Sequence, residues 1–106
     1  MKIKLVPQFN PRDFLAYTFE EKKIIVNYNG TEEIFDLSEV DTTEDGFIPI
    51  TPDKIDLNPF RSSYENQQGV WIENGEIKAK IVEYYSQPDK YSGENGIIET
   101  EWEVVS

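Results

Sequence analysis

Twenty-one acidic side chains, six tyrosines, six phenylalanines and two tryptophans are the residues from which this chain could build chemistry, because it contains neither histidine nor cysteine. The absence of histidine removes the commonest general base and transition-metal ligand. The absence of cysteine removes disulfides, thiolate-bound zinc and thiol catalysis. Paired carboxylates for glycoside hydrolysis are available in number, but a working pair needs a pocket and a raised pKa, and no sequence pattern points to either. No catalytic residue and no cofactor is therefore assigned, and a non-enzymatic protein is expected.

One acidic stretch has metal-loop spacing. Asp41, Thr43 and Asp45, followed by Gly46 and Ile48, match the opening positions of an EF-hand loop. The pattern then fails, since Pro52 stands where the bidentate glutamate is needed and no helices flank the loop. The alternatives are an acidic solvated turn and a weak calcium site, and no metal ligand is assigned. The wider run over residues 32–45 carries no basic residue. It reads either as a solvated face or as a mimic of a phosphate backbone that would inhibit a host nucleic-acid enzyme. Phe35, Leu37 and Val40 dilute it.

Aromatic residues give the candidate interaction surface. Trp71, Tyr84 and Tyr85, with Tyr91 in the neighbouring loop, offer an exposed platform for a protein partner or a sugar ring. Trp71 would face Lys78 in cation–π geometry. The competing reading is a partly buried tryptophan that shields the sheet. Exposed sheet edges offer a second route to partners, including further copies of the chain, by strand addition.

These side chains need a scaffold, and two Asn-Gly pairs supply its grammar. In GVWIENGEIKAKIVEYY (residues 69–85), a turn at Asn74-Gly75 sets Glu73 opposite Glu76, Ile72 opposite Ile77, Trp71 opposite Lys78 and Val70 opposite Ala79. Val70, Ile72, Ile77, Ala79 and Ile81 then share an inner face, with Trp71, Glu73, Glu76, Lys78 and Lys80 on a largely wet one. In KKIIVNYNGTEEIFDL, a turn at Asn29-Gly30 pairs Tyr28 with Thr31, Val26 with Glu33, Ile24 with Phe35 and Lys22 with Leu37. On its outer face Ile25 pairs with Ile34, a contact that the following loop could cover.

Elsewhere the pattern is plainer. Met1, Ile3 and Leu5 alternate with Lys2 and Lys4, and Pro7 is expected to end that strand. FLAYTF (residues 14–19) favours a strand over a short helix at residues 11–20. Residues 38–61 lose periodicity but keep enough apolar residues to lie along the core edge as an ordered strip, with one short strand or a helical turn near residues 51–55. Residues 86–96 concentrate turn formers. Ile98, Thr100, Trp102 and Val104 alternate with Glu99, Glu101 and Glu103 as a closing strand. The expectation is a single all-β domain over residues 1–106, a small antiparallel meander forming a sandwich or partly open barrel with little helix.

Charge and composition bound the partners. Ten Lys and Arg against 21 Asp and Glu give a net charge of -11, which repels nucleic-acid backbones and anionic lipid. Neither nucleic acid nor membrane is expected as a partner. The opening MKIKLVPQFNPRDF lacks the sustained apolar run of a signal peptide, so cytoplasmic synthesis is expected, and virion association is compatible with it.

MKIKLVPQ, the strand–turn–strand KKIIVNYNGTEEIFDLSEV and the later GVWIENGEIKAKIVEYY followed by Pro88 resemble small tail-region proteins of unknown function from tailed bacteriophages and prophages. The chain departs from them over the acidic, proline-rich residues 41–59 and lacks a histidine-proline feature after the second hairpin. The resemblance implies a tail-associated structural or assembly accessory acting by protein–protein contact, with phage tail components as partners, and assigns no functional residue. An acidic inhibitor of a host enzyme and a small carbohydrate-binding module are the alternatives.

Overall fold

The computed structural model describes residues 1–61, 69–87 and 101–105. These residues contain no helix and fold as strands β1 (Lys2–Phe9), β2 (Leu15–Glu20), β3 (Lys23–Tyr28), β4 (Thr31–Asp36), β5 (Gly46–Phe47), β6 (Val70–Glu73), β7 (Glu76–Tyr85) and β8 (Glu103–Val104). The all-β class read from the alternation and turn signals is the class observed.

Both Asn-Gly turns form with the anticipated register. Asn29 and Asn74 take φ of 52°, and Gly30 and Gly75 take φ of 90° and 78°. This is the double positive-φ signature of a tight hairpin turn, which glycine accepts without strain. Ile24 pairs with Phe35 and Val26 with Glu33 across the first turn, and Ile72 pairs with Ile77 and Val70 with Ala79 across the second. β2, β3 and β4 form an antiparallel three-stranded meander, while the other five strands form a sheet in the order β5-β6-β7-β1-β8.

That larger sheet is mixed, a departure from a purely antiparallel meander. β1 runs parallel to β7 from Lys2 opposite Lys78 to Phe9 opposite Tyr85. Parallel neighbours need a long crossover, and here the whole three-stranded sheet fills that connection. Pro7 does not end β1. It sits beyond Ile3, past the last rung that β8 contributes on the outer side, and an edge position is where a strand tolerates a missing amide donor.

The core lies between the two sheets. Ile3, Val70, Ile72, Ile77, Ala79 and Ile81 from the larger sheet meet Ile24, Val26, Phe35 and Leu37 from the smaller. Residues 38–61 close over this core, with Ile55 and Phe60 buried in it and Ile48 and Ile50 packed against it. The short strand in this segment is Gly46–Phe47, not residues 51–55. Phe60 forms an isolated antiparallel bridge with Ile81, fixed by Arg61 N donating to Lys80 O at 2.9 Å and Val82 N donating to Pro59 O at 2.8 Å.

One exposure expectation is corrected. The following loop does not cover the Ile25–Ile34 pair, because residues 38–61 run over the core instead, and Ile34 is 53% exposed. Val104 is 75% exposed, while Val105 packs on the core. Ile98 and Thr100 of the expected closing strand lie outside the described residues. Trp71 reads from the sequence either as part of an open platform or as a partly buried shield of the sheet, and the structure bears on that choice.

Candidate functional site

Trp71 points to the face expected to be wet, yet it is 9% exposed. Trp102 packs edge-on against it, with ring centroids 5.5 Å apart and planes at 84°. Lys78, paired opposite Trp71, places Nζ 5.3 Å from the Trp102 ring and 2.6 Å from Glu73 Oε2. The ammonium therefore serves the second tryptophan, and Trp71 is a covered residue of the sheet, not part of an open platform. A sugar ring could not stack on it without displacing Trp102. Glu73 is held below its ordinary value by its hydrogen bond to Lys78 and by that residue's charge.

One member of the acidic run is turned inward, and Asp41 and Asp45 make hydrogen bonds while staying exposed. Glu33 shares the inner face of β4 with Phe35 and is only 7% exposed. Its Oε2 accepts the amide of Asp53 at 2.7 Å, and its Oε1 accepts those of Lys54 at 2.7 Å and Ile55 at 3.1 Å. Burial pushes its pKa up, but the three amides outweigh that and hold it below the usual value. Asp45 Oδ1 accepts the amide of Asn74 at 2.9 Å. Asp41 Oδ1 accepts both the amide and the hydroxyl of Thr43, at 2.9 and 2.7 Å. The EF-hand-like stretch is thus a self-capped turn whose far end anchors the neighbouring hairpin. Among the described residues, no group of three or more acids is placed to hold a metal ion. Glu32, Glu39 and Glu44 are the exposed glutamates of this run.

The remaining aromatic candidates gather elsewhere. Tyr84 and Tyr85, at the end of β7, are half-buried, and Tyr91 lies outside the described residues. Phe9, aligned with Tyr85 at the end of β1, meets its ring edge-on at 5.6 Å and is itself 49% exposed. Phe14 follows in the next loop and is 58% exposed. Together with Asn10, Arg12, Asp13, Leu15, Tyr84 and Ser86, Phe14 lines an open cleft of about 260 Å³.

The loop that presents Phe14 is held by asparagine side chains. Asn10 Oδ1 accepts the amides of Arg12 and Asp13 at 2.9 and 3.0 Å, an Asx turn, and its Nδ2 donates to Asp13 Oδ2 at 2.9 Å. Asn10 N in turn donates to Tyr85 O at 2.9 Å, tying the loop to β7. From the other side, Asn29 Oδ1 accepts the Phe14 amide at 2.7 Å, Asn29 Nδ2 donates to Asp13 Oδ1 at 3.1 Å, and Asn29 N donates to Phe14 O at 2.9 Å. Hydrogen bonds from Asn10 and Asn29 lower the Asp13 pKa, so this carboxylate stays ionised at neutral pH and acts as an acceptor, not as an acid.

A cleft of this size falls below the range of roughly 300–1,000 Å³ in which small-molecule pockets enclose their ligands. Its lining sets the rings of Phe14 and Tyr84 together with the polar side chains of Arg12, Asp13 and Ser86. The sequence singled out Tyr84 and Tyr85 but passed over Phe9 and Phe14. Their signal was present: two phenylalanines bracketing Asn-Pro turn chemistry, in a loop with few apolar positions to bury them.

Compared with known proteins, the chain matches no family model, no curated protein and no solved structure.

Proposed function

We propose that this chain is a non-enzymatic contact protein, a structural or assembly accessory of a phage or prophage tail, which engages a protein partner through the aromatic end formed by Phe9, Phe14, Tyr84 and Tyr85. The observation that carries the reading is Phe14: a large apolar ring, 58% exposed, on a loop that three side chains hold rigid. A preformed aromatic knob loses little conformational entropy on binding, which is how protein interfaces obtain affinity from few residues. The tail assignment rests on the resemblance of the strand and turn pattern. Cytoplasmic synthesis followed by incorporation into the particle belongs to the same reading.

Support also comes from what the other candidates are occupied with. Trp71 is covered and Glu33 is buried against backbone amides, so Trp71 offers no sugar platform and Glu33 is withdrawn from the acidic face. The test is affinity capture of the tagged chain from phage-producing cells, together with assay of purified particles. Tail proteins should co-purify, and a Phe9→Ser, Phe14→Ser double variant with an unchanged circular dichroism spectrum should lose them. Absence of the chain from both particles and tail complexes would overturn the assignment. Capture that survives the double variant but falls steeply with salt, and is lost on charge reversal at Glu32, Glu39 and Glu44, would favour the acidic-inhibitor alternative.

A further inference from the structure

The two Asn-Gly turns are alike in backbone and unlike in what surrounds them. At Asn29, both ends of the side-chain amide are occupied, Oδ1 by the Phe14 amide and Nδ2 by Asp13, and the following nitrogen, Gly30 N, donates to Asn27 Oδ1 at 3.0 Å. At Asn74, the side-chain amide is exposed and has no hydrogen-bond partner among the described residues, and neither has Gly75 N. A Cβ built at Gly30 or at Gly75 would meet nothing within 4 Å, so both turns stand open to water and the contrast lies in their hydrogen bonds alone.

From this contrast we infer that Asn74 is a site of spontaneous deamidation and isoaspartate formation in the folded protein, and that Asn29 is protected. In the reaction, Gly75 N gives up its proton and bonds to Asn74 Cγ. The Cγ–Nδ2 bond breaks, and ammonia leaves with that proton. Water then opens the resulting succinimide at one of its two carbonyls, giving aspartate or isoaspartate at position 74. No oxidant or reductant is involved. Glycine permits the ring closure because it has no side chain to obstruct the attacking nitrogen. At Asn29 the same closure requires first breaking the bonds that hold the amide and the nucleophile, a local opening that suppresses the rate.

The product has a consequence for the fold. A carboxylate at position 74 enters a turn already flanked by Glu73, Glu76 and the Asp45 carboxylate that accepts the Asn74 amide. The isoaspartate form also adds a methylene to the backbone of a two-residue turn, which cannot keep the register of β6 against β7. The modification therefore loosens the hairpin that carries Trp71.

The experiment incubates the intact protein at mildly alkaline pH, in buffer and in urea, and follows each asparagine by peptide mapping and isoaspartyl methyltransferase labelling. Asn95, also followed by glycine, falls outside the described residues and is quantified separately. In the folded protein Asn74 should convert about tenfold faster than Asn29 or more, the suppression expected from the two or three net hydrogen bonds that must open at Asn29. In urea the ratio should fall toward unity. Asn27→Ala or Asp13→Ala, whichever remains folded, should speed conversion at Asn29 and leave Asn74 unchanged. Equal rates in the folded protein, faster conversion at Asn29, or no conversion at Asn74 while the urea-unfolded chain converts would each overturn the inference.

Discussion

The hydroxyl of Tyr17, on β2, donates to the main-chain carbonyl of Val82, on β7, at 2.6 Å, a polar tie between the two sheets. Val82 N already donates to Pro59 O, so the tyrosine takes over the β7 ladder at the point where the 38–61 segment stops pairing with it. Burial raises the phenol well above its ordinary value of 10.0, outweighing the opposing pull of Arg61, so the proton in this bond is retained throughout the neutral range. Tyr17→Phe keeps the ring that stacks on Phe19 and deletes only the donor. The expected cost is about 1–2 kcal/mol, read as a lower urea midpoint at unchanged m-value. A midpoint that does not move would show that the two sheets hold together without the tie.

Glu33 gives the protein a specific acid sensitivity. Its folded pKa lies below the ordinary 4.5, so the unfolded chain binds its proton first as pH falls. The stabilisation is fully present above about pH 5 and is lost as pH drops through the folded value. Glu33→Gln should flatten the pH dependence of stability below pH 5 relative to the parent. Glu33→Ala leaves three backbone amides without their acceptor and should cost about 3 kcal/mol at neutral pH. Thermal melts between pH 3 and 7 check both.

Gly69 has a packing role of its own. A Cβ there would lie 2.5 Å from Phe60 Cβ and 3.1 Å from Arg61 N, while Gly69 O accepts Lys80 N at 2.8 Å. Gly69→Ala must push the Pro59–Arg61 stretch off β7. The cost should be about 2 kcal/mol, in the range for overpacking. Gly75→Ala meets open space and is strained only through its backbone.

Trp102 packs edge-on against Trp71 and contributes to its burial. Trp102→Ala should shift the Trp71 fluorescence emission to longer wavelength and cost about 1 kcal/mol from the ring pair alone, with further loss from the bared surface. An unshifted emission would mean that other residues shield Trp71.

Phe9 and Phe14, in contrast, are exposed rings. Phe14→Ser should change stability by no more than about 0.5 kcal/mol, as surface substitutions do, while reducing partner capture. A variant that unfolds instead would place Phe14 in the core and remove the basis of the proposed contact surface.

How much of this was legible in the chain follows from the range of the interactions. Two-residue turns at Asn29-Gly30 and Asn74-Gly75 act locally, so the pairings of Ile24 with Phe35 and of Ile72 with Ile77 could be read from spacing and were found. The parallel union of β1 with β7 joins residues 76 apart, as Lys2 and Lys78 are, and no local pattern encodes it. Tertiary structure also assigned the polar residues their partners. Glu33 was readable as opposite Val26, but a carboxylate at that position becomes acceptable only once residues 53–55 bring three amides to it. Asn29 was readable as a turn, but not as the clamp on Phe14. The sequence by itself determined the all-β class, the two hairpins with their registers and the absence of histidine and thiol chemistry, because periodicity, positive-φ turn residues and composition act locally or by count. Tertiary structure alone decided that Trp71 is buried and that Phe9 joins Phe14, Tyr84 and Tyr85 at one end, because exposure depends on which distant segment arrives to cover a side chain.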